Sequence, residues 1–236
     1  MVIDLVWSKE ERTEILGLYK DLRVADVRDG MDWNMLHHYG SVSQEIRPLF
    51  RTKAVGIAKT SRYVPYDEPV PKMSPEEYTE WVAWYYQNIS YNPGNKKIEE
   101  GDFVVIDQSG VDVGIQGSNN SLEMFSKGAR GFITNGGVRD TDELILNQVP
   151  FWSKMISQKM NQGRIRFEAN DVPVNIGGVV VSPGDIVVAD GDGAIVVPHK
   201  YAFDVAKYAH QELEADKKGR KSIYIKLGWE LDHTVK

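Results

Sequence analysis

The region from Gly101 to Leu146 alternates apolar runs with helical segments, and this alternation limits the possible folds more than any other feature of the sequence. The run GDFVVID has the pattern of a buried strand and is followed by a loop rich in glycine, serine and asparagine. NSLEMFSKG then has helical spacing, RGFIT predicts a second strand, and TDELIL predicts the start of another helix. This order predicts an α/β fold in which parallel strands are joined by crossover helices.

Helical segments are also predicted before this region. Ser8 and Glu11 have the spacing of a capping box, so a helix is expected to begin there, and a second helical segment, interrupted by Gly30, follows it. Ser74 and Pro75 predict the start of a third helix, which carries an aromatic face. Such a face is more typical of a core or a subunit interface than of a cofactor site.

The C-terminal half has a different pattern. Residues 164–198 contain short β runs separated by glycine, proline and aspartate turns, which predicts a meander. A long amphipathic helix is predicted to form a C-terminal tail at about residues 199–228, and an N-terminal helical segment at about residues 8–40. The whole chain, residues 1–236, is interpreted as one domain with these two appendages.

Composition and charge exclude several classes of function. The chain has 28 Lys and Arg residues against 34 Asp and Glu residues, a formal net charge of -6, and no long basic run, so nucleic acid is not an expected partner. It has no cysteine, which excludes disulfides, thiolate metal sites and a cysteine nucleophile. No apolar stretch has the length of a signal segment or a membrane span, so we expect a cytoplasmic protein without a membrane partner.

The loop after the strand GDFVVID is the first candidate for a binding site. Ligands of α/β proteins gather beyond the carboxyl ends of parallel strands, where helix N-termini present main-chain amides. Gly117, Ser118, Asn119 and Asn120 stand at the entry to a predicted helix and would direct such amides at a small carboxylate. The sequence therefore predicts an anion-binding loop for a substrate such as a 2-oxo acid.

The segment NGGVRDTDE, after the next predicted strand, is the second candidate. Gly136 and Gly137 predict a loop in which the backbone can approach closely, so that Arg139 could bind the same anion bidentately. Asp140 offers a hard oxygen ligand for a divalent ion such as magnesium. A purely structural interpretation stays open, in which Arg139 pairs with a nearby acid and Glu143 complements the dipole of the following helix.

At these residues the sequence resembles the RraA-like family. The resemblance rests on GARGFITNGGVRDTDEL, on GSNN and on PGDIVVADGDGAIVVP, with further similarity in VADVRDGMD and IRPLF, and it covers the chain from about Val24 onward. The family contains class II pyruvate aldolases acting on 4-hydroxy-4-methyl-2-oxoglutarate and 4-carboxy-4-hydroxy-2-oxoadipate. The resemblance implies a swivelling β/β/α fold with a central parallel or mixed sheet, flanking helices and a C-terminal helix. It also implies a homotrimer or homohexamer with active sites between subunits.

The resemblance also assigns roles to individual residues. Arg139 is expected to bind the substrate, Asp140 to hold a divalent metal ion, magnesium or alternatively manganese, and the loop from Gly117 to Asn120 to receive the pyruvyl carboxylate. Asp29 and Glu214 are candidates for acids that a neighbouring subunit contributes. Ser118 departs from the aldolases, which carry an acidic residue there, and a serine cannot act as a carboxylate base at neutral pH.

The expected activity is that of a metal-dependent lyase. Retro-aldol cleavage of a 4-hydroxy-2-oxo acid and decarboxylation of oxaloacetate share a pyruvate enolate, which Arg139 and a metal ion on Asp140 would stabilise. Asp29 or Glu143 would orient a water for the proton of the substrate hydroxyl. The alternative is a non-catalytic regulatory protein that acts by protein–protein contact, as some RraA-like proteins regulate an RNA-degrading endonuclease.

Other catalytic chemistries have weaker support in the sequence. A Schiff-base aldolase would need a desolvated lysine, and nothing marks Lys154 or Lys159 as unusual. The glycine-rich loops lack the G-x-G spacing of a nucleotide-binding turn, which argues against a methyltransferase. His37 and His38 are interpreted as surface or packing residues, and His199, His210 and His233 show no pattern that indicates a catalytic partner.

Overall fold

The computed structural model of the protein describes residues 7–236. The first six residues, on which the expectation of no signal segment partly depends, lie outside the described residues. The helices are α1 (Lys9–Tyr19), α2 (Val24–Trp33), α3 (Pro75–Asn88), α4 (Ser118–Ser126), α5 (Thr141–Leu146) and α6 (Ala202–Leu227), with 3₁₀ turns at Pro93–Lys97 and His199–Tyr201. The strands are β1 (Arg47–Pro48), β2 (Ala54–Pro65), β3 (Asp102–Asp107), β4 (Gly114–Gln116), β5 (Gly131–Val138), β6 (Phe151–Ile156), β7 (Ile165–Asn170), β8 (Val174–Ile176), β9 (Val179–Val181), β10 (Ile186–Asp190) and β11 (Gly193–Val197).

A mixed sheet organises the fold, with strand order β1-β6-β5-β3-β2-β10-β11. Strands β2, β3, β5 and β6 are parallel neighbours, and β4 pairs in parallel with β5. The predicted α/β fold is therefore confirmed. The C-terminal half forms the short strands that were expected, but the simple meander is wrong, because β7 and β10 both return to pair with β2. Only β8 with β9 and β10 with β11 are consecutive pairs there.

Three clusters of buried apolar side chains hold the helices and the hairpin to the sheet. Met31 lies in the first, where α1, α2 and α6 meet β10 and β11, and Trp152 lies in the second, beneath the β8–β9 hairpin. Met124 and Leu144 bring α4 and α5 onto β3 and β5 in the third. All six residues of β3 are buried, as expected for a central parallel strand whose two faces are covered. Each large side chain that is removed from water in these clusters contributes about 1.5–3 kcal/mol before entropy costs.

The predicted helix starts are confirmed by their caps, and one predicted interruption is wrong. The side chain of Ser8 accepts a hydrogen bond from the Glu11 amide, and Ser74 caps α3 in the same way. Helix α2 continues through Gly30 instead of breaking there. A Cβ on Gly30 would lie 2.5 Å from the Val205 carbonyl oxygen, so the glycine permits close packing of α6 on α2.

Helix α3 is attached to the rest of the molecule mainly through one side chain. Tyr85 is its only buried residue, and its hydroxyl donates to the Ile165 carbonyl at 2.6 Å. Burial raises the pKa of Tyr85 to about 12. Tyr78 and Trp84 on the same helix are exposed, so the aromatic face is only partly a core face.

Helix α6 packs along its first half and then projects. Its buried residues end at Leu213, whereas the helix continues to Leu227. Within residues 7–236 no helix combines the length and the apolar character that crossing a membrane requires.

Candidate active site

The two segments that the sequence marks as candidate binding loops meet at one edge of the sheet. Strands β3 and β5 are parallel, so the segments that follow Asp107 and Val138 leave the sheet at the same edge. Strand β4 lies inside the predicted first loop and pairs with the end of β5, matching Gln116 with Val138. This pairing, which sequence reasoning missed, brings the start of α4 beside the start of α5.

Asp140 has an unusual backbone conformation at this edge. Its backbone lies in the left-handed region, with φ 55° and ψ 42°, a conformation that is uncommon for residues other than glycine but is tolerated by aspartate. Although Asp140 is the N-cap of α5, its side chain makes no capping hydrogen bond to that helix. Its Oδ2 instead accepts from the Ser118 main-chain amide at 3.1 Å and lies 3.4 Å from the Ser118 hydroxyl. The carboxylate therefore faces the N-terminus of α4.

Gly117 makes this contact possible because it lacks a side chain. It is buried as the N-cap of α4, and a Cβ there would lie 2.4 Å from Oδ2 of Asp140 and 3.3 Å from Cγ of Arg139. The free amides of a helix N-terminus and the helix dipole both favour negative charge at this position. The anion that lies at this helix start in the structure is the carboxylate of Asp140 itself, and binding of a substrate anion there stays a prediction.

Arg139 lies beside the same glycine. Its main-chain amide donates to the Gln116 carbonyl at 3.1 Å, which fixes the backbone of Arg139 against β4. Its Nε is 3.6 Å from Oδ1 of Asp140, and the side chain is about one third exposed, at 36%. The guanidinium thus keeps donors free for a ligand while pairing with Asp140, so the functional and the structural interpretation of Arg139 both fit the geometry.

The remaining predicted residues of the two loops lie at the rim. Asn119 and Asn120 are exposed in the first turn of α4, where their main-chain amides belong to the unpaired helix start. Glu143 is exposed in the first turn of α5 and adds negative charge there, as the structural interpretation predicts. Among the described residues, no hydrogen bond or ion pair joins the Glu143 carboxylate to Arg139 or Asp140.

Asp29 and Glu214 do not reach this site within one chain. They belong to α2 and α6, which pack on β10 and β11, whereas α4 and α5 pack on β3 and β5. Burial raises the pKa of Asp29, and nearby carboxylates, led by that of Glu212, raise it further. Glu214 pairs with Lys217 at 3.1 Å. Their contribution to the site of a neighbouring subunit stays a prediction.

The two glycines of NGGVRD have a different role from the one predicted. Gly136 and Gly137 are not in a loop, because β5 continues to Val138 with a shift of register after Thr134. A Cβ on Gly136 would lie 2.7 Å from the side chain of Gln108, which is fully buried. Gln108 Nε2 donates to Thr134 Oγ1 at 2.7 Å and to the Gly137 carbonyl at 3.0 Å, so it fixes the strand that leads to the site.

Sequence reasoning missed Gln108, although one signal could have found it. This residue follows directly on the apolar strand GDFVVID, where a polar side chain is enclosed by neighbouring strands and has to be hydrogen-bonded. Thr134 is the polar residue that ends the apolar run GFIT. Polar residues at the ends of two neighbouring parallel strands indicate an interaction between them.

Lys154, Lys159 and His210, which lie outside these loops, have structural partners. Lys154 pairs with Glu45 at 3.1 Å and Lys159 pairs with Asp112, so neither has the desolvated surroundings of a Schiff-base lysine. His210 Nε2 hydrogen-bonds to a main-chain carbonyl of α1 at 2.7 Å, which agrees with a packing role. His37 and His38 are exposed, as surface histidines are.

The strand order and the helices on the sheet define an α/β protein. Its candidate site lies at the carboxyl ends of the parallel strands, where Arg139 and Asp140 lie against the N-terminus of α4. The family described as "RraA-like: Aldolase/RraA" matches residues 24–196. The chain therefore belongs to the RraA-like family, and the RraA-like fold expected from the sequence is confirmed.

Three known proteins illustrate the likeness. An uncharacterised protein of Methanocaldococcus jannaschii is 29% identical over 147 residues, which are 57% of this chain and 68% of that protein. The 4-hydroxy-4-methyl-2-oxoglutarate aldolase of Thermus thermophilus is 32% identical over 113 residues, 44% of this chain and 65% of the aldolase. The crystal structure of Streptomyces coelicolor RraAS2 is described as that of an unusual member of the RNase ES inhibitor RraA protein family. It superposes on this chain with a TM-score of 0.70 at 24% identity, and the match covers 88% of this chain and 96% of the RraAS2 chain. At that identity the last likeness concerns the fold alone.

Proposed function

We propose that this protein is a divalent-metal-dependent lyase that cleaves a carbon–carbon bond of a 2-oxo acid. The reaction is retro-aldol cleavage of a 4-hydroxy-2-oxo acid, decarboxylation of oxaloacetate, or both, through a pyruvate enolate. The observation that supports it best is the contact of Asp140 and Arg139 with the start of α4 at Gly117 and Ser118. Relatives named 4-hydroxy-4-methyl-2-oxoglutarate aldolase agree with this class of reaction.

The donors at the site fit a magnesium or manganese ion that is completed by substrate. Among residues 7–236 no group of three His, Cys, Asp or Glu side chains is placed to hold a metal ion. Magnesium commonly takes only one or two protein carboxylates and keeps waters or substrate oxygens as its other ligands. The exposed carboxylate of Asp140 suits such a site. A divalent ion there would supply a Lewis acid for the keto oxygen and would offset the charge of the substrate carboxylate.

The chain's own residues would bind and orient the substrate. The main-chain amides of Asn119 and Asn120 would donate to the pyruvyl carboxylate, and the dipole of α4 would favour its charge. Arg139 would stabilise the negative charge that develops on the keto oxygen as the bond between C3 and C4 breaks. Because Asp140 already accepts from the Ser118 amide, the substrate carboxylate would use the two amides that follow it.

Cleavage also requires removal of the proton from the 4-hydroxyl of the substrate. Ser118 cannot act as the carboxylate base at neutral pH, so an ordered water would carry this proton, oriented by Glu143 or by an acid from a neighbouring subunit. Asp29 and Glu214 are our candidates for that acid. The proposal therefore includes a homo-oligomer, trimeric or hexameric, as the active form. Decarboxylation of oxaloacetate needs no such base, because carbon dioxide leaves in place of the aldehyde or ketone.

Release of pyruvate from a panel of 4-hydroxy-2-oxo acids and from oxaloacetate tests the proposal. We expect turnover that depends on added Mg2+ or Mn2+, that a chelator abolishes, and that Asp140→Ala lowers at least about 100-fold. Asp142→Asn is the matched control, because Asp142 is an exposed acid two residues further along α5. This control should retain wild-type activity.

The result can also favour the second candidate function. Replacement of the family's acidic residue by Ser118 favours a non-catalytic binding protein that acts by protein–protein contact, because the site then lacks one carboxylate. A folded wild-type protein without turnover on any substrate of the panel would contradict the lyase and support this alternative. Turnover that is unchanged in Asp140→Ala would contradict the assigned role of Asp140.

A further inference from the structure

A cavity opens at the amino ends of the parallel strands, at the edge of the sheet opposite to the candidate active site. Its volume is about 1450 Å³, which exceeds the roughly 300–1,000 Å³ of an ordinary small-molecule site. The lining comes from α1, from the starts of β2, β3, β5 and β6, and from the end of α4. Because β3 has six residues, the two edges lie about 20 Å apart, so the cavity is distinct from the candidate active site.

Helix α1 buries one side and turns another side toward this cavity. Ile15 and Tyr19 are fully buried in the first apolar cluster. Lys9, Leu16 and Lys20 follow one another at intervals of seven and four residues, so they share a different side of the helix. All three line the cavity. One side of α1 therefore presents two ammonium groups and an apolar side chain to the same space.

Apolar side chains form the other walls. Trp7 donates from Nε1 to the Gly184 carbonyl at 2.7 Å, which fixes the indole ring in place. Val55 and Pro150 line the side of the cavity next to the strands. Phe125, in the last turn of α4, is exposed by 39% although it is a large aromatic residue. A ligand that removes these groups from water would gain the hydrophobic contribution to binding.

Some of the charged groups around the cavity already have partners. Arg12 donates to Asp102 at 2.8 Å, and Arg130 pairs with Glu100. Glu11 accepts from the Ser8 main-chain amide at 2.8 Å as part of the capping box of α1. These side chains hold α1 and the strand starts together, so they contribute little net charge to the interior of the cavity.

Three lysines of the lining have no such partner. Within residues 7–236, no ion pair or side-chain hydrogen bond joins Lys9, Lys20 or Lys53 to an acid. Of the three acids that line the cavity, only Glu99 likewise has no side-chain partner in that part of the chain. Three unpaired cations against one unpaired carboxylate favour a ligand with negative charge.

Lys53 gives the position at which that negative charge would bind. Burial lowers the pKa of Lys53, and the neighbouring carboxylates, that of Asp21 foremost, offset this effect only in part. An ammonium group that is removed from water without a full partner is costly. Since Asp21 adjoins Lys20 in the chain, Lys20 and Lys53 belong to the same end of the cavity. The anionic group of a ligand would supply the missing partner there.

We propose that this cavity binds an organic anion with an apolar chain, such as a medium-chain carboxylate. The carboxylate would lie between Lys20 and Lys53, and the chain would extend along α1 toward Trp7. Lys9 and Lys20 lie eleven residues apart, about 16 Å along the helix axis, which leaves room for an extended acyl chain. The proposal does not depend on the proposed lyase activity, because the two sites occupy opposite edges of the sheet.

Fluorescence titration of the full-length protein with two probes tests the role of charge. Anilinonaphthalene sulfonate is an anion, and phenylnaphthylamine is its uncharged counterpart. The wild type should bind both probes, and decanoate should displace both, whereas acetate at the same concentration should displace neither. Lys20→Met combined with Lys53→Met should weaken binding of the sulfonate about tenfold and that of the uncharged probe less than about twofold.

Gly17→Phe tests the location of the site. Gly17 lines the cavity and has nothing within 4 Å of the position of its Cβ, so the new ring fits the helix and takes up space in the cavity. We expect binding of both probes to weaken at least about tenfold. Gly219→Phe is the matched control, because Gly219 lies within α6, also has nothing within 4 Å of its Cβ position and does not line the cavity. This control should bind both probes as the wild type does.

Several outcomes would overturn the proposal. These are no saturable binding by the wild type, wild-type affinity in Gly17→Phe, or equal weakening of both probes in the lysine variant. Binding that appears only after removal of residues 1–6 would assign the cavity to the chain's own N-terminal segment. A change in sedimentation mass in Gly17→Phe would assign it to a second copy of the chain. Circular dichroism must show wild-type helix content in each variant; if Gly17→Phe misfolds, the lysine variant and the decanoate competition decide.

Discussion

Asp140 shows how one residue can connect two loops that are distant in sequence. Its left-handed backbone turns the carboxylate away from α5 and toward the amide of Ser118. A residue other than glycine in this region costs of order 1 kcal/mol, and such strain often accompanies a functional site. The close approach is possible only because Gly117 has no side chain.

Gly117→Ala tests this dependence directly. The new Cβ would lie 2.4 Å from Oδ2 of Asp140, so either the carboxylate or the start of α4 has to move. We expect a loss of about 1–3 kcal/mol in the free energy of unfolding and, if the proposed lyase is correct, about a 100-fold loss of pyruvate release. Urea denaturation and the pyruvate assay measure the two effects.

Gly17→Ala is the matched control for this substitution. Gly17 lies within α1 with nothing within 4 Å of the position of its Cβ, so alanine should stabilise the helix by up to about 1 kcal/mol and leave the site unchanged. Wild-type stability and activity in Gly117→Ala would show that the start of α4 does not need the glycine.

The candidate residues were predictable from the sequence, but their geometry was not. The glycine-rich segments, the arginine–aspartate pair and the positions after apolar runs identify Arg139, Asp140 and Gly117. The positive φ of Asp140 depends on the contact with α4, which no local pattern records. The same is true of Gln108, because its partners lie on another strand.

At the scale of elements, local signals and long-range pairing determine different features. The capping boxes at Ser8 and Ser74 are formed by residues three apart, so the sequence predicts them reliably. Strand β5 extends through its two glycines because β4 pairs with it, and β4 exists as a strand for the same reason. Pairing between distant segments has no local signature in the sequence. For this reason the sequence predicts these two loops to be longer than they are.

The start of β3 illustrates a contact between elements that depends on pH. Asp102 is buried, accepts from Arg12 Nη2 at 2.8 Å and from the Glu99 amide at 2.9 Å, and so attaches α1 to the sheet. Burial nevertheless raises the pKa of Asp102 above its ordinary value. The folded state therefore binds this proton more tightly than the unfolded chain does.

Asp102→Asn should change the pH dependence of stability. In the wild type, the protonated carboxyl of Asp102 contributes fully to the free energy of unfolding below about pH 3.9, its pKa in the unfolded chain. This contribution is lost as the pH rises through the higher pKa that Asp102 has in the folded protein. Asparagine does not titrate, so the stability of the variant relative to the wild type should improve as pH rises above about 4. Urea denaturation across this range measures the difference. With exposed Asp142→Asn as control, a constant or opposite difference for Asp102→Asn would contradict the expectation.

At the scale of the whole molecule, burial is distributed unevenly between the sheet and the peripheral helices. Every residue of β3 is buried, and Phe103 packs against Trp152 in the centre. Helix α3 buries only Tyr85, which contacts the ring of Trp81 and the Ile165 carbonyl. Because opening of a segment costs the contacts that it loses, α3 should open far more often than the sheet.

Hydrogen exchange with two core variants tests whether α3 opens independently. Phe103→Leu weakens the packing against Trp152, which stays intact when only α3 opens. Amide exchange should therefore become faster in β3, whereas the exchange rates in α3 should not change. Tyr85→Phe removes a hydrogen bond that is lost both when α3 alone opens and when the sheet unfolds. Amide exchange should therefore become faster in α3 and in β3 by a similar factor, about 5- to 30-fold. Tyr86→Phe, at an exposed position of the same helix, should affect neither. Equal acceleration of α3 and β3 by Phe103→Leu would mean that α3 opens only when the sheet unfolds.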